Sequence, residues 1–241
     1  PYRRQRQMCI RDRRNAERIL QLVNQLMDIR KIDKGQMSLM FKKAEIVSFT
    51  RDLLETFEQQ TRVKKLDLKF HTSAPEIEMW IDPKNFDKII LNLLSNACKF
   101  TPENGQVEIS LSTGEDTHLP QNAPLRRYVE LTVADSGIGI ASTEREHIFE
   151  RFYQIRNSQN NSNIGTGIGL HLTRSLVELH YGNIHVEDNG EGRPGSRFII
   201  RLPLGNGHLK KEEIEEATTA GTLINLSLIH ISEPTRRRGI S

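Results

Sequence analysis

The sequence predicts an α/β domain entered through one amphipathic helix, and three observations carry the prediction. Ile19, Leu22, Val23, Leu26 and Ile29 recur at three- and four-residue intervals across 15–32, the spacing of a single helical stripe. Beyond Gly35, runs such as LDLKFHT and YVELTVA alternate apolar with polar residues, as half-buried strands do. Longer helical periods separate these runs, so strands and helices alternate along the chain.

Taken in order, the first helix ends at Gly35. MSLMF at 37–41 reads as a short strand leading into a helix over 45–63, and LDLKFHT and MWI at 79–81 read as two further strands. Asp82-Pro83 is an N-cap followed by a first-turn proline, which opens a long helix to about Phe100. Strands are expected at 106–112, 128–134, 183–188 and 196–202, with a helix over 169–180. The stretch 153–164, containing QIRNSQNNSN, is polar and long for an ordinary connection, so it is expected to be a mobile lid. After the last strand the chain turns charged and aperiodic, as a linker over 206–226 would.

At 241 residues the chain accommodates one full domain with a short appendage. Its longest apolar run, 89–94, is interrupted by Asn92 and falls far short of the roughly 20 residues of a membrane span. No start resembles a signal peptide, so a soluble piece is expected, with any anchor outside it. Cys9 and Cys98 are too few and too distant for a disulfide framework or a metal knuckle, which makes a reducing compartment the default. The formal charge is +3, yet 1–13 and 227–241 together hold a net +6 and leave the body at −3. That distribution removes the case for a basic nucleic-acid surface. Both ends resemble translated sequencing-adapter read-through or disordered basic tails, and neither enters the functional reading.

On the helix after Pro83, Asn92, Asn96 and Lys99 share one face, while Phe86, Ile90, Leu93, Leu94 and Ala97 fill the other. An amide oxygen can ligate Mg²⁺ and a lysine one turn on can meet phosphate, although a solvated helix face explains the same residues. DSGIG at 135–139 follows a strand, so Asp135 is placed to accept a hydrogen bond from an exocyclic amine; a plain turn is the competing reading. GTGIGL at 165–170 precedes a helix and offers backbone N–H groups to phosphate, but a Rossmann fingerprint fails because a polar loop comes before it. FERFY at 149–153 reads as core aromatics around a solvated Arg151.

The joint occurrence of NLLSNACKF, DSGIG, FERFY, GTGIGL and PGSRF, in that order, resembles the catalytic domain of sensor histidine kinases, within the group that includes gyrase, Hsp90 and MutL. The match runs over roughly 14–205. The resemblance implies a two-layer α/β sandwich of a mixed sheet and helices over 37–205, with ATP between the helices and the lid. It places 14–36 as the second helix of a dimerisation and phosphotransfer hairpin. It implies Asp135 for the adenine amine, Asn96 for Mg²⁺, Lys99 for phosphate and Phe100 for packing near the base. Asn92 becomes a second polar contact, and Ser196 a hydroxyl near the adenine. Gly137 and Gly139, with Gly165, Thr166, Gly167, Gly169 and Leu170, complete the expected ATP contacts.

ATPases of the same group carry a water-activating glutamate four residues before the metal-binding asparagine, where this sequence has Asn92. An amide cannot take that proton, so the resemblance implies a kinase that donates the γ-phosphoryl group to a histidine. A hydrolysing ATPase and a non-catalytic nucleotide sensor are the alternatives. None of the eight histidines stands in a motif resembling the family's S-H-E-L-R-T-P, and the hairpin's first arm is not expected in this chain. The implied partners are therefore a histidine-bearing dimerisation domain and a response-regulator receiver domain. Nucleic acid and direct membrane contact are not expected. The implied parent is a homodimeric hybrid sensor, anchored in an inner membrane with its kinase in the cytoplasm.

Overall fold

The computed structural model describes residues 2–155, 165–190 and 192–215. Helix α1 (Tyr2–Asp33) runs back through the segment read from the sequence as a tail or artefact, so the helix starts well before residue 15. Gly35, at φ 62°, follows its end. Strand β1 (Lys42–Glu45) then precedes α2 (Ile46–Lys64), β2 (Asp67–Thr72), β3 (Glu78–Ile81) and α3 (Pro83–Phe100). The remainder is β4 (Gln106–Glu115), β5 (Arg127–Asp135), α4 (Gly169–Leu179), β6 (Asn183–Asp188) and β7 (Ser196–Pro203).

Five strands form a mixed sheet in the order β2-β4-β5-β7-β6, with only the β2–β4 pair parallel. Register sorts the two faces. Ile109, Val133, Phe198 and Val186 line up across four strands, as do Leu111, Leu131, Ile200 and Ile184. The alternate rows hold Glu108, Ala134, Arg197 and Glu187, then Ser112, Glu130, Arg201 and Asn183. One face is thus apolar and covered while the other is largely polar, the pattern of a sheet with helices on a single side. Phe86, Ile89, Ile90, Leu93 and Leu94 of α3 are the buried counterpart, each contributing about 1.5–3 kcal/mol by leaving water.

The short strand expected at 37–41 is displaced. Leu39 and Phe41 are buried, but the pairing segment is Lys42–Glu45, which lies antiparallel to β3 as a separate two-stranded sheet. The apolar run misled because burial there is achieved by irregular backbone. Asp82 Oδ2 accepts from Met40 N at 3.0 Å, and Phe41 makes only an isolated bridge to Ile214. The linker expected at 206–226 is also corrected over its described part. Residues 206–215 lie against the body, with Tyr181 Oη donating to both carboxylate oxygens of Glu213; 216–226 and 227–241 are outside the described residues. The lid is likewise described only to residue 155.

The stripe on α1 divides. Ile29 is buried and Leu22 and Ile32 pack on the core, whereas Ile19, Val23 and Leu26 remain exposed. Ion pairs Asp28–Lys88 (2.8 Å) and Asp33–Arg151 hold the same end of the helix to the body. Among the described residues no helix is long and apolar enough to cross a membrane.

Glu45 caps α2. Its carboxylate accepts from Val47 N (2.9 Å), Ser48 N (2.6 Å) and Ile77 N (3.0 Å). Burial raises its pKa, but the hydrogen bonds from Ile77, Ser48 and Val47 outweigh that effect and hold it down at about 2. A depressed carboxyl stabilises the fold fully above its unfolded value near 4.5 and loses that contribution as pH falls through about 2. Glu45→Gln is expected to cost about 0.5–2 kcal/mol at neutral pH. It should also flatten the acid limb of thermal stability between those two values. Parallel acid limbs for parent and variant would refute this role.

Candidate functional site

Each motif reaches its place through a local device. Asp82 caps α3, accepting from Asn85 N at 3.1 Å with Pro83 in the first turn, and this fixes which face the helix buries. Asn92, Asn96 and Lys99 are left on the partly exposed side. His180 supports the cap: its Nε2 accepts from Asp82 N at 3.2 Å while Nδ1 lies 2.7 Å from Leu176 O. Burial lowers its pKa, so it serves as a neutral core group.

Asp135 ends β5, the strand whose burial carries it inside the domain. Oδ2 accepts from Ser196 Oγ at 2.6 Å and Oδ1 from Gly137 N at 2.8 Å. Burial pushes the carboxyl above its ordinary range, opposed by those two donors. The arrangement is an oriented carboxylate with unused lone pairs, suited to accepting from an amine. Ser196, expected as a hydroxyl near the ligand, donates to Asp135 and holds it.

The glycine motifs close around α3. A side chain at Gly137 would strike the Phe100 carbonyl oxygen at 2.7 Å, so the DSGIG loop lies directly against the end of the helix. Gly167 has φ 68°, and a Cβ there would come within 2.6 Å of the Phe152 carbonyl carbon; only glycine allows the GTGIGL loop to cross the FERFY turn so closely. Phe152 N donates to Gly167 O at 2.9 Å across that crossing. A Cβ on Gly165 would meet Lys99 Nζ at 3.1 Å. Asn92 Nδ2 donates to Gly169 O (3.4 Å) and Thr173 Oγ1 (3.3 Å), tying α3 to the start of α4. Thr166 Oγ1 accepts from Ile168 N at 3.3 Å, and Leu170, partly buried, packs on the core. Gly139 reaches the other side, where a Cβ would lie 3.1 Å from Gly195 O.

Phe100 is 43 % exposed and its ring lies under the Lys99 ammonium at 4.6 Å. FERFY divides: Phe149 is buried, Phe152 is 65 % exposed, and Arg151 donates to Asp33 of α1 and to His171 Nε2 at 2.9 Å. Asn96 is partly exposed, and its amide has no protein partner among the described residues. No group of three His, Cys, Asp or Glu among those residues is arranged to cage a metal. A single neutral amide oxygen fits Mg²⁺, which keeps water and phosphate oxygens around it.

Sequence reasoning missed Thr173, which is fully buried and donates to Gly169 O at 3.0 Å. It also missed Asn189, whose amide spans Asp135 O (3.3 Å) and Pro194 O (3.5 Å). Asn189-Gly190 reads as ordinary turn chemistry, and nothing in its spacing points to Asp135. Of the histidines, His71, His147 and His185 make exposed pairs with Glu108, Glu150 and Glu187. His118 lies in a loop, His171 and His208 make local contacts, and His230 is outside the described residues.

Comparison with known proteins agrees with this geometry. Residues 81–206 match the family described as histidine kinase-, DNA gyrase B-, and HSP90-like ATPase. Sensor histidine kinase TmoS of Ectopseudomonas mendocina is 38 % identical over 191 residues, 79 % of this chain and 18 % of the relative. Histidine kinase P4 of Formosa agariphila is 32 % identical over 203 residues, covering 83 % of this chain and 14 % of its own length. The chain therefore spans less than a fifth of either relative. Among solved structures, full-length ShkA in complex with AMPPNP superposes with a TM-score of 0.62 at 26 % identity, over 78 % of this chain and 36 % of ShkA.

Proposed function

The chain belongs to the family of histidine kinase-, DNA gyrase B- and HSP90-like ATPases, and from that premise we propose that it binds Mg²⁺-ATP and donates the γ-phosphoryl group to a histidine of a dimerisation helix in two-component signalling. One observation carries the reading: two sequence motifs far apart in the chain, DSGIG and GTGIGL, converge on the C-terminal half of α3. Phe100 meets Gly137, Lys99 meets Gly165, and Asn92 meets Gly169. Asp135 recognises the adenine amine, while Lys99 and the backbone of 165–170 receive the phosphates. Bound Mg²⁺ neutralises charge on the triphosphate, and Asn96 is the residue that would hold it. Support for ATP as the ligand comes from the related structure of full-length ShkA, a complex with AMPPNP.

Asn92 separates the kinase reading from fast hydrolysis. The position carries an amide, which has no basic lone pair to take a proton from water, and its NH₂ is already committed to Gly169 O and Thr173 Oγ1. The site therefore holds the nucleotide and leaves the phosphoryl group for an acceptor it does not itself supply. Response-regulator partnership follows for the parent, as does a cytoplasmic setting for this part of it.

The test mixes the chain with a separately made histidine-bearing helical hairpin and labelled Mg²⁺-ATP. Acid-labile phosphohistidine is expected on the hairpin and none on this chain. Rapid phosphate release to water with no labelled hairpin would replace the kinase reading with an ATPase, and label on the chain itself would contradict the acceptor assignment.

A further inference from the structure

The last described segment is joined to the first turn of the body, where the chain enters it from α1. Phe41 N donates to Glu213 O at 2.6 Å, and Glu215 N donates to Phe41 O at 2.9 Å, a parallel bridge between residue 41 and Ile214. Lys42 pairs with Glu215 at 2.7 Å. Tyr181, between α4 and β6, completes the joint. Its hydroxyl meets the Glu213 carboxylate at 2.9 and 3.0 Å, and its ring lies 6.3 Å from Phe41 and 5.1 Å from His208. The same carboxylate accepts from Lys210 N at 2.9 Å and so holds the turn of 210–213. Tyr181 adopts φ 61°, a left-handed backbone that few non-glycine residues take without surrounding structure to enforce it.

The location gives the joint its meaning. Between Asp33 and Phe41 the chain has no helix or strand, and Gly35, at φ 62°, has open space where a side chain would stand. The C-terminal end of α1 is held to the body by buried Ile29, by Leu22 and Ile32, and by the ion pairs Asp28–Lys88, partly buried, and Asp33–Arg151, at the surface. Beyond that end of α1 runs a short irregular segment that the body receives at Leu39, which is buried, at Met40, whose N donates to Asp82, and at Phe41. We propose that residues 206–215 act as a clasp that reinforces this anchorage at Phe41 and Lys42, and thereby restrains the connector after α1 and the position of the body relative to that helix. Chain entering the body and chain leaving it are then one mechanical unit, and whatever is attached after residue 215 acts on the position of α1 through the Glu213–Phe41–Tyr181 contacts.

Two measurements on the full chain test it. Hydrogen exchange is read over 36–45 and 206–215, and distances are read between spin labels at Leu20→Cys on α1 and Val63→Cys on α2, both exposed positions, with Cys9→Ser and Cys98→Ala in the background. In Glu213→Ala, exchange at Phe41 is expected to rise about tenfold or more while β4 and β5 stay protected. The label-to-label distribution should broaden with it. Tyr181→Phe, which removes only the hydroxyl contacts, should move both readouts the same way by less, and it provides the test if Glu213→Ala loses protection throughout. A distribution as narrow as the parent's once Phe41 exchanges freely would overturn the proposal, as would a Phe41 amide unaffected by both substitutions.

Discussion

Asp135→Asn is expected to weaken ATP binding about 10- to 150-fold, the 1.5–3 kcal/mol of a charge-assisted hydrogen bond, without destabilising the nucleotide-free protein. The two expectations share a cause. Burial lifts the Asp135 carboxyl above its ordinary pKa. A group raised in the fold leaves stability intact below its unfolded value and loses it as pH rises through the folded value, so the ionised carboxylate is a burden on the empty protein. Asparagine removes that burden. It keeps one oxygen to accept from Gly137 N, and Ser196 Oγ can reverse its role and accept from the new NH₂. A purine amine approaching the same edge now meets a donor instead of an acceptor. Calorimetric titration with Mg²⁺-ATP, beside thermal unfolding without nucleotide, separates lost recognition from misfolding. An unchanged affinity would remove Asp135 from the site, and a large fall in Tm would make it a structural residue.

Much of this was legible in the sequence because the relevant signals are local. Asp82-Pro83 announces the start of α3, and the spacing of Asn92, Asn96 and Lys99 fixes their common side of that helix. Alternation in LDLKFHT and YVELTVA marks strands whose register then aligns the apolar rows. What the sequence concealed depends on contacts between distant segments. MSLMF has a strand's composition, yet Phe41 is buried against a segment more than 170 residues on and Met40 N is taken by Asp82. RLPLGNGHLKKEEIEE has a linker's composition, yet Glu213 finds Tyr181. Arg151 reads as solvated because its partner Asp33 lies in another element. Asn189 reads as an ordinary turn residue, and only the fold brings its amide to Asp135 O. Helix periods and caps repeat within a few residues, whereas a docked segment or a positioning hydroxyl has no period to detect.

The same dependence on distant contacts makes Gly195→Ala the most damaging single methyl at the site. Gly195 has φ 110°, and a methyl there would overlap the Asp135 carbonyl oxygen, 2.6 Å from its carbonyl carbon and 2.9 Å from Ser136 Cα. The obstacle is backbone, which cannot rotate away as a side-chain end can. The expected loss is about 2–5 kcal/mol, combining about 1–2 for a backbone region hostile to a Cβ with about 1–3 for overpacking. Gly205→Ala is the control, since φ is 103° there with nothing within 4 Å, so it bears the first cost without the second. The difference between the two in denaturant unfolding measures how tightly the loop before β7 presses on the end of β5. If it is about 1–3 kcal/mol, the carboxylate of Asp135 is held from behind by main chain as well as from the side by Ser196. Equal losses at the two glycines would mean that the loop yields, and the orientation of Asp135 would then rest on Ser196 and Gly137 alone.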